Sequence, residues 1–486
     1  MTDVVAEGAF PGSELDAPSI ERAPWLTPRR LMLFVIGWIL LFALVSVFVS
    51  NPFQSEPKAG VGPNYWHVMF LHGLLISMVG LGALVACQVL GVRSRHVRVW
   101  IAVGVLAATI FAATGGIWDK KVPGDEVPMW TQIAGFFALD EILLVLLIGI
   151  VGEWRRRSSA ARTLPPLVAG VATASMLAAA LIGHLAGWIL EFGNSPGVIG
   201  RWERFVGEGR AEFTNNLIVS HSHAMVVATM ALIVALAAQQ FRYASLEGAS
   251  RTLARVGLGA IAAGTIGMSG IYIAAAFSTW EPPTWLTSHQ GTNGIASDDI
   301  VTGVLVMGGG LLVLAAYALV GAGKLASLRR RPVRIATLWA WALSFATVVV
   351  AGYAIELDET YFGKGDPKAA GAAKDAVYTW IHQDIGLFLL PMLTLVMLAV
   401  ERLIARRRQG VIGLATIAGT SIAFVGTLIF VFVDPARRGA GYVVSTIGLA
   451  VIGAALLATI WYATLGDRRE LAPVDAAAPQ PAGPSS

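Results

Sequence analysis

Apolar residues run along this chain in long, nearly unbroken stretches, and polar residues gather in the gaps between them. About twelve stretches reach the roughly 20 apolar residues that a helix needs to cross a bilayer. They fall near 31–50, 66–91, 98–117, 131–153, 167–190, 214–240, 253–278, 299–322, 333–355, 377–400, 411–433 and 441–464. Inside lipid the backbone must satisfy its own hydrogen bonds, so such runs predict helices rather than strands. The expected fold is an all-α, polytopic membrane bundle over residues 28–466.

A second pattern lies within the first. LHGLLISMVGLGALVACQVLG from Leu71 and SHAMVVATMALIVALAAQQFR from Ser222 align in hydrophobic pattern on His72 and His223, and both place a glutamine sixteen residues on, Gln88 and Gln239. IHQDIGLFLLPMLTLVMLAVE from Ile381 repeats the pattern more loosely on His382. One such segment in every four spans predicts three four-helix repeats, with a histidine at a similar depth in each.

Composition agrees with a lipid solvent: 56% of residues are hydrophobic and 14% charged, with a mean hydropathy of +0.67. Arginines cluster in alternate short loops, at Arg29 and Arg30, Arg93 to Arg98, Arg155 to Arg157, Arg242 to Arg255, Arg329 to Arg331, Arg402 to Arg408, and Arg468 with Arg469. By the positive-inside rule these loops and both termini face the cytoplasm of a cell membrane. The net charge of +4 is then topogenic and gives no argument for nucleic acid. Residues 1–27 are polar and lack the order of a cleaved signal peptide, so the first span is expected to be retained. Residues 467–486, rich in Ala and Pro, read as a disordered cytoplasmic tail.

The single cysteine, Cys87, excludes a disulfide framework, a thiolate cluster and covalent c-type haem. No Walker A or GxGxxG loop stands between a strand and a helix, which argues against ATP-driven transport and a nicotinamide site. Histidine is the more informative residue. Seven of the eight, His67, His72, His184, His221, His223, His289 and His382, lie toward the predicted outer side. Neutral imidazole is the commonest metal ligand, and ionisable residues within spans are usually functional. The plainer reading is interfacial hydrogen bonding. His221 and His223 are about 200° apart round a helix, so they serve different sides. His72 with His382 or His223 supplies the two imidazoles of a low-spin b-type haem.

With twelve spans and histidines at the outer ends of the second, sixth and tenth, the chain resembles the catalytic subunit of the haem-copper oxidase and nitric oxide reductase superfamily. The resemblance implies three four-helix arcs, His72 and His382 at axial haem positions, and His221 or His223 at a second metal such as copper or iron. The sixth span lacks a His-Pro-Glu-x-Tyr element, the seventh lacks a His-His pair, and the tenth has one histidine where the family has His-x-His. Those departures bear on the binuclear centre more than on a low-spin haem.

Asp384, two residues beyond His382, is a candidate to orient an imidazole or move a proton, with a solvated span entrance as the plainer reading, and the mid-span pair Asp140 and Glu141 is a candidate proton relay or metal ligand, with interhelical hydrogen bonds as the plainer reading. His221, His223, His289, His67 and His184 are the further candidate metal ligands. Met225 and Met268 read as packing before copper ligands. Tyr65, Trp66, Trp130, Trp188, Trp280 and Trp285 suggest an aromatic belt. The outer loop from Ser278 suits a cap over the histidine site or a partner contact, with a rigid connector as the plainer reading, and Glu356, Asp358 and Glu359 in the loop from Ile355 suit cation binding or proton entry, with solvation as the plainer reading. The expectation is a haem-binding membrane oxidoreductase or electron-transfer protein, of respiratory type if catalytic. Its electrons come from a quinol or an outer-face donor, and a partner subunit is a further expectation. The alternatives are a secondary transporter or metal carrier, and a redox-inactive scaffold subunit.

Overall fold

The computed structural model describes residues 27–49, 65–119, 126–159, 162–192, 210–277, 305–317, 331–356, 377–432 and 438–466, and every element among them is helical. The helices are α1 Pro28–Val49, α2 Tyr65–Val89, α3 Arg95–Asp119, α4 Glu126–Arg156, α5 Leu164–Phe192, α6 Arg210–Gln240 and α7 Gly248–Phe277. There follow α8 Leu305–Tyr317, α9 Pro332–Glu356, a π-helix Val377–Leu389 that runs into α10 Leu390–Leu403, then α11 Arg406–Phe432 and α12 Arg438–Trp461. Each expected apolar stretch carries one of these helices. Nine of the described helices are long and apolar enough to cross a membrane, against about twelve expected.

Local chemistry explains several boundaries. Pro332 opens α9, and Pro165 and Pro166 lie in the first turn of α5, where a missing N–H leaves no bond unmade. Gly91, with φ +70°, ends the α2 region in the left-handed conformation that glycine adopts without penalty. Pro391 sits two residues beyond the π-helix. It has no N–H to offer the carbonyl of residue 387, and its ring crowds that carbonyl, which accounts for wider winding just upstream. Buried hydroxyls bond back within their own helices, as Ser77 does to Gly73 O at 2.8 Å and Thr229 to Met225 O at 2.7 Å.

The helices of the three aligned segments form the centre of the bundle. α2, α6 and α10 pack on one another, and 78%, 83% and 78% of their span residues are buried, against 33–56% in the other six candidate spans. They are apolar all round because each is surrounded by protein. They meet at Gly82, where a Cβ would touch Leu232 of α6 at 3.5 Å and Leu395 of α10 at 3.7 Å. The periphery uses closer contacts. On α11 and α12 a Cβ at Gly426 would overlap Ser445, and one at Gly448 would overlap the Ala423 backbone, so these helices approach backbone to backbone.

The end of the bundle opposite the histidines is closed by a polar network. Glu401 at the end of α10 accepts from Arg334 Nε of α9 at 2.6 Å and from Gln240 Nε2 of α6 at 2.9 Å. Arg402 Nε donates to Gln240 Oε1 at 3.0 Å, and Gln409 of α11 donates to the Glu401 and Ile404 carbonyls. The glutamine that does this is Gln240, the neighbour of the Gln239 that the sequence repeat singles out.

Candidate functional site

The site is built on α5. His221 of α6 places its Nδ1 2.8 Å from the carbonyl oxygen of Ala179. A carbonyl can only accept, so Nδ1 carries the proton and Nε2 keeps its lone pair. The ring reaches that carbonyl because residue 183, one turn on, is glycine: a Cβ there would stand 2.5 Å from Nδ1 and 2.6 Å from Cε1. The Nδ1 edge therefore lies against α5 and the Nε2 edge away from it. A ligand histidine is commonly oriented in this way, by a backbone carbonyl on its other nitrogen.

His72 of α2 lies beside His221, with ring planes 10° from parallel and centroids 6.2 Å apart. That exceeds the separation of rings in face contact, about 3.5–4 Å. Two imidazoles each bonded to a shared ion at about 2.0 Å, with about 1.1 Å more from nitrogen to ring centre, stand about 6 Å apart. The spacing fits one pair of axial ligands, and the His221 tautomer fits ligation through Nε2.

His184, the residue after Gly183, faces α4. Its Nε2 is 2.5 Å from Asp140 Oδ2, its ring stacks on Phe137 at 4.8 Å and 13°, and Phe136 meets it edge-on at 6.2 Å. Phe136 also lies 5.6 Å from the His72 ring, so it wedges between the two histidines. The mid-span carboxylates part company: Asp140 pairs with His184, while Glu141, one residue and about 100° on, turns to α3, where a Cβ at Gly104 would overlap its carboxylate. Asp140 Oδ1 and Glu141 Oε1 are buried without a hydrogen-bond partner among the described residues. An interhelical contact thus explains one oxygen of the pair and leaves two others available to a proton.

The remaining candidates are more dispersed. His223 is half-buried and lies on another side of α6 from His221, as two residues of helix require. It is His221, not the repeat-aligned His223, that approaches His72. His382 is half-buried on the π-helix, which packs against α2 and α9. The side chains of His67 and Asp384, and the whole of His289, lie outside the described residues, as do the outer loop from Ser278, most of that from Ile355 and both terminal segments. Met225 and Met268 are each 1% exposed in the apolar core, which accords with packing.

Among the described residues no three His, Cys, Asp or Glu side chains converge in a way that could hold a metal ion. Of the second-metal candidates His221, His223, His184, His67 and His289, the described ones face different partners, His221 turning to Ala179 and His184 to Asp140. Sequence reading missed Phe136, Phe137, Gly183 and the Ala179 carbonyl. The glycine before a histidine in a span was the available signal; a main-chain acceptor carries none. Comparison with family models, curated proteins and solved structures gives no match for this chain.

Proposed function

We propose that this chain is a membrane electron-transfer protein or oxidoreductase that binds a low-spin, b-type haem through His72 and His221. The observation that carries the reading is the near-parallel His72–His221 pair at 6.2 Å, with the His221 tautomer set by Ala179. In this reading twelve spans in three four-helix repeats form a divergent haem-copper-oxidase-like scaffold, with both termini and the arginine-rich loops in the cytoplasm. A bound haem would supply one-electron exchange with a quinol or an outer-face donor. The chain's own residues do the rest. Gly183 admits the His221 ring and the Ala179 carbonyl holds its proton at Nδ1. Phe136 and Phe137 cover His184 on two sides and limit water there. Asp140 and His184 share a proton across α4 and α5 beside the pair.

The test is an oxidised and dithionite-reduced visible spectrum of the detergent-purified chain, with iron and copper measured on the same sample. A sharp reduced α-band with stoichiometric iron is expected, lost in His72→Ala and in His221→Ala and kept in His223→Ala. Loss in His382→Ala with retention in His221→Ala would move the second ligand to the π-helix. No Soret band and no metal, with haem supplied during expression, sinks the oxidoreductase reading. A second reading, a proton- or cation-coupled secondary transporter, is favoured by the unbonded carboxylate oxygens of Asp140 and Glu141 within α4. Solute or metal accumulation in vesicles that disappears in Asp140→Asn and Glu141→Gln would support it.

A further inference from the structure

A histidine and a carboxylate meet where the bundle wall faces lipid. His184 Nε2 and Asp140 Oδ2 stand 2.5 Å apart across α5 and α4, and the two side chains keep 22% and 15% of their surface exposed. Beside them Phe137 and Leu144 of α4 and Leu181 of α5 lie within four residues along their helices and are 60%, 48% and 57% exposed. Asp140 lies ten residues inside the Trp130 end of an apolar span of 27 residues. Ten residues are about 15 Å of helix, deeper than a headgroup layer of roughly 5–8 Å on each side of a bilayer. A ligand therefore reaches this pair through hydrocarbon.

The pair also sets what His184 can bind. Nε2 is committed to Asp140, while Nδ1 makes no hydrogen bond among the described residues. With the ring's single proton on Nε2, Nδ1 accepts; with the ring protonated on both nitrogens, Nδ1 donates. A carboxylate on the other nitrogen holds the ring in place and stabilises its protonated form, as in other Asp–His pairs. Such an imidazole can meet a hydroxyl in one state and a carbonyl in the other. A flat ring finds apolar company there, because Phe137 stacks on His184 at 4.8 Å and 13° and turns most of its remaining surface outward. Phe136 lies 6.2 Å from the His184 ring and 5.6 Å from that of His72, so a ligand at His184 is one aromatic side chain from the His72–His221 pair.

We propose that the groove between α4 and α5 at His184 binds the ring of a quinol and of its quinone from the lipid, with the hydroxyl or carbonyl on Nδ1 and the tail against Leu144 and Leu181. A quinol is lipid-soluble, flat, and exchanges a hydroxyl for a carbonyl when it is oxidised. An acyl chain offers neither group. Binding at this groove needs no haem; its use as the place where electrons enter rests on the haem function proposed for His72 and His221.

The full-length chain, purified in detergent, would be titrated with the quinol analogue 2-heptyl-4-hydroxyquinoline N-oxide, followed by the analogue's fluorescence, with heptanol as a competitor that has the tail and no ring. Saturable binding that heptanol does not displace is expected. His184→Phe keeps a ring on Phe137 and removes Nδ1, and it should weaken the analogue about tenfold. Because that change also leaves Asp140 without its partner, Leu181→Trp is the deciding variant: it fills the groove from an exposed position, leaves the pair intact, and should weaken binding about tenfold as well. Leu414→Trp, equally exposed but on α11, should leave binding unchanged. No saturable binding, displacement by heptanol, or unchanged affinity in Leu181→Trp overturns the proposal. A chain that binds the analogue yet shows no reduced α-band refutes haem and keeps this site, whereas a haem-bearing chain that fails to bind it overturns this site alone.

Discussion

The absence of a side chain at residue 183 decides where the His221 ring goes. A Cβ at that place stands closer to Nδ1 than any real contact allows, so the α5 carbonyl can be reached only past a glycine. Gly183→Val should expel the ring, cost about 1–3 kcal/mol of stability by overpacking, and remove the reduced α-band if His221 is a ligand. Denaturant unfolding in detergent and the reduced spectrum check the two effects. An unchanged spectrum together with lost stability would place the ligand elsewhere. Histidines and carboxylates were legible as candidates because ionisable groups are rare in spans. Their partners were not. The His221–His223 choice turned on about 200° of helix rotation, and the division of Asp140 from Glu141 on about 100°, and neither angle leaves a mark in a single chain.

Helices were legible almost to their ends, because apolar length and proline punctuation are local properties. The central place of α2, α6 and α10 was foreshadowed by segments apolar on every face, whereas peripheral helices keep lipid-facing residues such as Leu414 and Ile148 exposed. The π-winding of residues 377–389 was not anticipated, although Pro391 in the same segment is its physical cause. Close approach between elements makes a sharper claim. On α11 and α12 the Gly426 and Gly448 positions have no room for a side chain, while Gly439 faces open space. Gly426→Leu is expected to cost about 3 kcal/mol and to separate the two helices. Gly439→Leu is expected to cost less than about 1 kcal/mol. Paired thermal unfolding curves in the same detergent would test this, and similar melting of both variants would refute the backbone-to-backbone packing.

Across the whole molecule, the two ends of the inner helices do different work. At one end imidazoles, aromatic rings and carboxylates face each other between α2, α4, α5 and α6; at the other, Glu401 draws α6, α9, α10 and α11 together. Glu401→Gln keeps the size of the side chain and removes its charge. It should cost about 3 kcal/mol, as expected when one partner of a largely buried ion pair is lost, and raise hydrogen exchange at the adjoining ends of α6, α9 and α10. An unaltered melting temperature would mean that apolar packing alone closes that end. The arginine-rich loops predicted that this end is basic, but which arginines share one carboxylate depends on how four helices converge.

What the sequence by itself determined is the solvent and the secondary structure: a multi-pass helical membrane protein, with its described helices near their expected positions. These follow from rules that act within one segment, since lipid demands that each stretch of backbone satisfy its own hydrogen bonds and be apolar for long enough to span. Only the tertiary structure decided that His221 meets His72, that Asp140 takes His184 while Glu141 turns to α3, and that Arg331 and Arg334 share Glu401. Each of these depends on the rotation and axial offset of one helix against another. Those quantities are set by glycines, carbonyls and ring faces that belong to different segments, and they come together only when the bundle closes.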